Sequence, residues 1–183
     1  MKSFAVIGGK LALICAVAAT ALGFVNNLTE PRIREFKAKQ LEEALSAVVL
    51  KGKAGEEKPV EGVPGVLSYY PLEEGNNTLG YILKLIGAGY GGDMVLLASY
   101  DTEGVIQAVR LMENQETPGL GKEAEKDQYM QKFIGTGGKN PIPVRKSQLT
   151  QEQADSITGA SITFIGIAKA LETGAVFLET LED

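Results

Sequence analysis

The chain has 183 residues, with 18 basic and 23 acidic side chains and a formal net charge of −5, a length for one ordinary domain plus an appendage. The acidic balance excludes a nucleic-acid partner held on a basic face, and a hydrophobic share of 44% excludes a disordered chain. Histidine and tryptophan are absent and Cys15 is the sole cysteine. Ser–His and Cys–His nucleophile pairs, imidazole metal sites, intrachain disulfides and Cys-clustered zinc or iron–sulfur sites are therefore excluded. Electron or group transfer by such a chain must rest on a cofactor.

The N-terminus is apolar. Leu11 to Val25 runs unbroken except for Thr20, a helical length of about 22 Å against a hydrocarbon core of about 30 Å. Extending the run back to Phe4, with Lys10 snorkelling toward the head groups, gives a sufficient span. A cleavable signal peptide would end soon after a small-x-small site. Here the run continues past Ala16, Ala18 and Ala19 through Leu22, Phe24 and Val25, which favours an uncleaved single-pass anchor over residues 1–28. Lys2 and Lys10 precede the span, while Arg32, Arg34, Lys37 and Lys39 follow it. A plain count of positive charges thus puts the C-terminal part in the cytoplasm, although long domains translocate largely regardless of charge.

Residues 29–183 read as one domain. Asn26 to Pro31 is a helix-start signal, with Asn27 or Thr29 as cap and Pro31 in the first turn. Ile33, Phe36, Leu41, Ala44, Leu45 and Val48 continue as a helical stripe. Lys51 to Pro64 is a charged, Gly/Pro-rich loop. Strands are expected over Gly65–Tyr70, Leu79–Ile86, Met94–Tyr100 and Val105–Met112, the last two joined by the Asp101-Thr102-Glu103-Gly104 turn. A short helix is expected over Glu123–Ile134, a broken loop over Gly135–Arg145, and a final helix over Ser161–Leu181 with Gly174 as its weak point. Strands precede the last helix without βαβ alternation, which predicts an α+β domain: a mainly antiparallel sheet with flanking helices.

Three short motifs carry the chemistry. Gly87-Ala88-Gly89-Tyr90-Gly91-Gly92 matches G-x-G-x-x-G, but Asp93 to Tyr100 after it is strand-like, so the helix that would receive a pyrophosphate is missing and a glycine-rich β-connection is expected. In Glu116-Thr117-Pro118-Gly119-Leu120-Gly121 the glycines would let backbone approach a planar ligand, with Thr117 hydrogen-bonding it. Alternatively, Pro118-Gly119 is an ordinary turn. Asp155-Ser156-Ile157-Thr158-Gly159-Ala160-Ser161-Ile162-Thr163 precedes the final helix. Asp155, Thr158 or Ser161 can cap that helix, or Gly159 and Ala160 can open its N-terminus to a phosphate.

Taken together, Asp155-x-x-Thr158-Gly159-Ala160-Ser161, Glu116 to Gly121, Gly89 to Gly92 and the anchor resemble the G-subunit family of Rnf ion-translocating electron transport complexes, which is related to the C subunits of sodium-translocating NADH–quinone reductases. The resemblance implies a membrane-tethered, extracytoplasmic FMN-binding domain at the cell (inner) membrane, relaying electrons between ferredoxin and NAD as one member of a complex coupled to sodium or proton movement. It implies FMN linked covalently through its phosphate to Ser161, with Thr163 as the second choice, attached by a flavin transferase. Most relatives carry threonine at the position of Ser161, and some carry histidine where Asn114 stands here. The expected flavin-site residues are Tyr90, Gly91, Glu116, Thr117, Pro118, Gly119, Leu120, Gly121, Asp155, Thr158, Gly159, Ala160, Ser161 and Thr163. No side-chain catalyst, metal or nucleic acid is expected. Within the same resemblance the alternative is the C-subunit family of sodium-translocating NADH–quinone reductases, and a different class of function is an anchored assembly or ligand-binding module without redox role, in which the Ser161 segment only caps a helix.

Overall fold

The structure, a computed structural model, describes residues 2–75 and 77–182. By contacts the chain divides into residues 1–41 and residues 42–183.

The first unit lies in helix α1, Lys2–Val48. Its apolar residues face outward: Phe4 is 82% exposed and Leu22 71%. Unpartnered apolar surface over such a length is what a lipid-facing helix presents. The helix start expected at Asn26 to Pro31 does not occur, because α1 runs straight through Pro31. The Thr29 hydroxyl, expected to cap a new helix, instead donates back to the Val25 carbonyl at 2.9 Å, and Arg34 reaches Glu30 at 2.5 Å across one helical turn. Proline removes one N–H from the ladder, and these neighbours belong to a helix already under way.

In the second unit Ala44 and Val48, on the last turns of α1, are buried. The expected loop after them contains two dipeptide strands, β1 (Lys53–Ala54) and β2 (Lys58–Pro59). Both pair with the free edge of β3 (Val66–Glu74), which is how a Pro-containing segment can join a sheet. Next follow β4 (Asn77–Ala88), β5 (Asp93–Asp101) and β6 (Ile106–Glu113). All pairings are antiparallel, in the order β1-β3-β4-β5-β6 with β2 also on β3. At the β5–β6 turn the Asp101 carboxylate accepts the Glu103 and Val105 amides, both at 2.9 Å.

The region expected as one helix over Glu123–Ile134 is instead a 3-10 turn, Gly121–Glu125, followed by the single turn α2, Asp127–Met130. An unforeseen helix α3, Gln151–Ser156, starts at a capping box in which the Thr150 hydroxyl accepts the Gln153 amide and the Gln153 side chain accepts the Thr150 amide. Helix α4, Ser161–Glu182, closes the chain.

The core lies between α4 and one face of the sheet. Leu83, Leu85, Leu96, Ala98 and Tyr100 from the strands meet Phe164, Ile167, Ala168, Leu171 and Phe177 from the helix in one buried cluster. Burial of side chains of this size stabilises by about 1.5–3 kcal/mol each. The Tyr100 hydroxyl donates to the Leu171 carbonyl at 2.9 Å. A Cβ on Gly174 would stand 2.6 Å from that hydroxyl oxygen, so Gly174 is a point of close approach and the helix continues through it. Although α4 is apolar and long enough to cross a membrane, it is half buried in this core, whereas the apolar N-terminal stretch of α1 is bare.

Candidate functional site

The β4–β5 connection is a tight glycine turn, with the Gly89 amide donating to the Gly92 carbonyl at 2.8 Å. A strand follows it, as expected, so this stretch is no dinucleotide loop. Beyond β6 the chain turns again at Thr117, whose carbonyl accepts the amides of Leu120 and Lys122, both at 3.2 Å. Pro118 and Gly119 form the exposed outer bend, and Gly119 has φ +75°. The turn reading of this motif and the ligand-site reading are therefore compatible.

Helix α4 starts without a side-chain cap. The Ala160 carbonyl accepts the Phe164 amide at 3.1 Å. Among the described residues no side chain accepts the amides of Ser161, Ile162 or Thr163. Asp155 sits in α3 and accepts the Gln151 side chain at 2.9 Å. The Thr158 hydroxyl accepts the Lys146 ammonium at 3.0 Å. Neither of these capping candidates serves α4. Alanine, which has no side-chain oxygen, stands where a cap would be, leaving the first-turn amides and the positive end of a 22-residue helix open.

These segments meet at a cleft of about 500 Å³ lined by Tyr90, Glu116, Thr117, Leu120, Gly121, Gly159, Ala160, Ser161, Ile162 and Thr163. The volume lies within the usual range for small-ligand sites, about 300–1,000 Å³. Tyr90, Leu120 and Ile162 give it exposed apolar surface, and the bare helix start gives it donors. Gly91 touches the cleft only through Glu116. Pro118, Gly119, Asp155 and Thr158 do not line it. Ile162 is a cleft residue that the motifs did not single out. Its place beside Ser161 on the same first turn is the signal that could have found it.

Glu116 lies at the base of this arrangement and is 4% exposed. Its carboxylate accepts the Gly91 amide at 3.0 Å and the Thr163 hydroxyl at 2.5 Å. Its own amide donates to Asn114 Oδ1 at 3.1 Å, while the Asn114 amide group donates to Glu125 at 2.9 Å. The surrounding glycines make room for the carboxylate. A Cβ on Gly89 would stand 2.3 Å from Oε1, and one on Gly121 2.0 Å from Oε2. Nearby, the buried Tyr129 hydroxyl has no hydrogen-bond partner among the described residues. Burial first, and the negative charge of Glu116 second, push its ionisation well above the ordinary tyrosine value.

The two candidate hydroxyls differ sharply. Ser161 is exposed at the cleft wall. Thr163 is 1% exposed and its hydroxyl is engaged with Glu116. The arrangement fits a planar, largely apolar ring carrying a phosphate: apolar walls, backbone accessible at Gly159, and an open helix start beside the exposed Ser161 hydroxyl.

The FMN-binding domain family matches residues 89–175, which include the glycine turn, the Glu116 segment and the start of α4. The chain is similar to the G subunit of the ion-translocating oxidoreductase complex of Methanosarcina acetivorans, 27% identical over 94% of this chain and 93% of that protein. It is also similar to the G subunit of the proton-translocating ferredoxin:NAD(+) oxidoreductase complex of Clostridium ljungdahlii, at 25% identity with coverages of 93% and 89%. The G subunit of the Na(+)-translocating ferredoxin:NAD(+) oxidoreductase complex of Acetobacterium woodii is 28% identical, with coverages of 92% and 86%.

Proposed function

We propose, from the match of residues 89–175 to the FMN-binding domain family, that the chain is a membrane-anchored flavoprotein component of an Rnf-type complex, relaying electrons through covalently bound FMN. Residues 1–28 serve as its single-pass anchor in the cell membrane, and residues 29–183 lie outside the cytoplasm. Its partners are the other membrane and peripheral subunits of the complex, together with a flavin transferase that matures it. The wider reaction is electron transfer between ferredoxin and NAD coupled to sodium or proton movement, and this chain is not an enzyme alone.

The observation that carries the reading is the cleft itself. It gathers Tyr90, Glu116, Thr117, Leu120, Gly121 and Gly159 to Thr163 around the exposed Ser161 hydroxyl at an uncapped helix start. Bound FMN supplies the one- and two-electron chemistry that a chain without histidine and with one thiol lacks. The protein's share is placement. Ser161 Oγ is the atom that bears the phosphoester, and the free amides of the first turn of α4 hold the phosphate. Leu120, Ile162 and Tyr90 cover the ring, while Thr163 is withheld from modification by its bond to Glu116.

The test is expression of the full chain with and without a flavin transferase. With it, the protein is expected to be yellow, to fluoresce on a denaturing gel, and to gain one FMN phosphoester in intact mass. A chain that is colourless and unmodified in the presence of an active transferase refutes the proposal.

A further inference from the structure

We infer that Glu116 is the positioning residue of this cleft, and that its fixed negative charge, held by the Gly91 amide and the Thr163 hydroxyl, lowers the reduction potential of a flavin carried on Ser161. The inference rests on the FMN reading above.

Three observations support it. First, among the described residues Glu116 is the one carboxylate lining the cleft, and the other ionisable lining group, Tyr90, is exposed. Second, the carboxylate is buried and, among the described residues, forms no ion pair; its hydrogen-bond donors are one backbone amide and one hydroxyl. Burying an unpaired charge is expensive, and a neutral side chain could bridge the same two donors without that penalty. Third, the backbone is kept bare around it at Gly89 and Gly121, and a Cβ on Gly91 would stand 1.9 Å from the neighbouring Gln115 carbonyl. Three glycines from two separate segments therefore maintain the space in which this carboxylate and its amide donor meet.

The latch also acts through Thr163. Its bond ties the first turn of α4, which carries Ser161, to the segment after β6 and to the glycine turn. The charge thus stays at a fixed place relative to the attachment atom. In a site with little water a fixed charge acts more strongly than at the surface. Adding electrons to a ring beside a negative charge is disfavoured, so the charged carboxylate lowers the midpoint and its neutral counterpart raises it.

The test uses full-length flavinylated protein and a spectroscopic redox titration. Glu116→Gln keeps the length and both partners, since Oε1 can still accept the Gly91 amide and Nε2 can donate to a turned Thr163 hydroxyl. Its midpoint is expected to rise, by at least a tenfold change in the oxidised-to-reduced ratio at fixed ambient potential, or about 30 mV for a two-electron couple. A loaded, folded Glu116→Gln protein with the parent's midpoint overturns the inference and leaves Glu116 a strut. Thr163→Val keeps the charge and removes one donor that partly neutralises it, so its midpoint is expected at or below the parent's. A rise in Thr163→Val overturns the inference even where Glu116→Gln takes up no flavin. A parent chain that takes up no flavin refutes the FMN reading instead, which keeps the two failures distinct.

Discussion

Replacing Gly121 with alanine tests whether the cleft is built around the Glu116 carboxylate. The backbone of Gly121 lies outside the left-handed region, so alanine brings no torsional penalty and only its methyl group matters. That methyl would stand 2.0 Å from Glu116 Oε2, 2.8 Å from Glu116 Cβ and 2.8 Å from the Thr163 hydroxyl oxygen. Glu116 must move, and the Thr163 bond breaks with it. Overpacking of this kind costs about 1–3 kcal/mol, and losing a hydrogen bond to a buried charge about 1.5–3 kcal/mol, together about 2.5–6 kcal/mol. At about 2–4 °C per kcal/mol for a domain of this size, the Tm should fall by about 5 °C or more. Gly119→Ala is the matched control, because Gly119 has φ +75° and nothing within 4 Å of its Cβ position. It brings strain without a clash, about 1–2 kcal/mol. Thermal unfolding of both detergent-solubilised full-length variants, followed by circular dichroism, separates the two effects. A Gly121→Ala protein melting within about 2 °C of the parent, or one more stable than Gly119→Ala, refutes the reasoning.

Ser161→Ala should abolish the flavin mass increment while Thr163→Val keeps it, and peptide mapping that finds the flavin on Thr163 would reassign the site. Tyr100→Phe should lose about 1 kcal/mol through its bond to the Leu171 carbonyl, read as a small drop in Tm with unaltered flavin loading. For topology, cysteine at the exposed Lys53 position in a Cys15→Ser background should react with a membrane-impermeant maleimide in intact cells. Labelling only after lysis would put the domain in the cytoplasm.

The four long strands and α4 were legible because their apolar runs are bounded by glycine-rich turns, and each needs only local patterning to be read. Helix α3 was not, since a single buried residue, Ala154, sits among polar ones. Its only local sign was the Thr150-x-x-Gln153 capping box. The course of α1 through Pro31 was hidden for a different reason. Proline and Thr29 look the same at a helix start as inside a helix, where the threonine hydroxyl turns back on the preceding turn. The dipeptide strands β1 and β2 exist only because β3 offers an edge, and that edge is invisible in their own residues. At the site both motifs could be read, but the burial of Glu116 depends on glycines from two separate parts of the chain. The contrast between Ser161 and Thr163 also needed the fold. Two residues apart on a helix, they point about 200° from each other, so one meets the cleft and the other the base beneath it.

Beside the buried side-chain cluster, one contact that seats α4 on the sheet is made by backbone. A Cβ on Gly166 would stand 2.0 Å from the Ala88 carbonyl oxygen, and one on Gly87 2.8 Å from the Gly166 carbonyl oxygen. Helix and strand can come this close only where those two glycines face each other, so sliding by even one residue would bring a side chain into the gap. The distance between the Ser161 ledge and the glycine turn that follows β4 is therefore indexed by main-chain atoms and is insensitive to the side chains that decorate the rim. Exchanging Tyr90, Leu120 or Ile162 therefore alters the walls of the cleft while the main-chain spacing beneath them stays put.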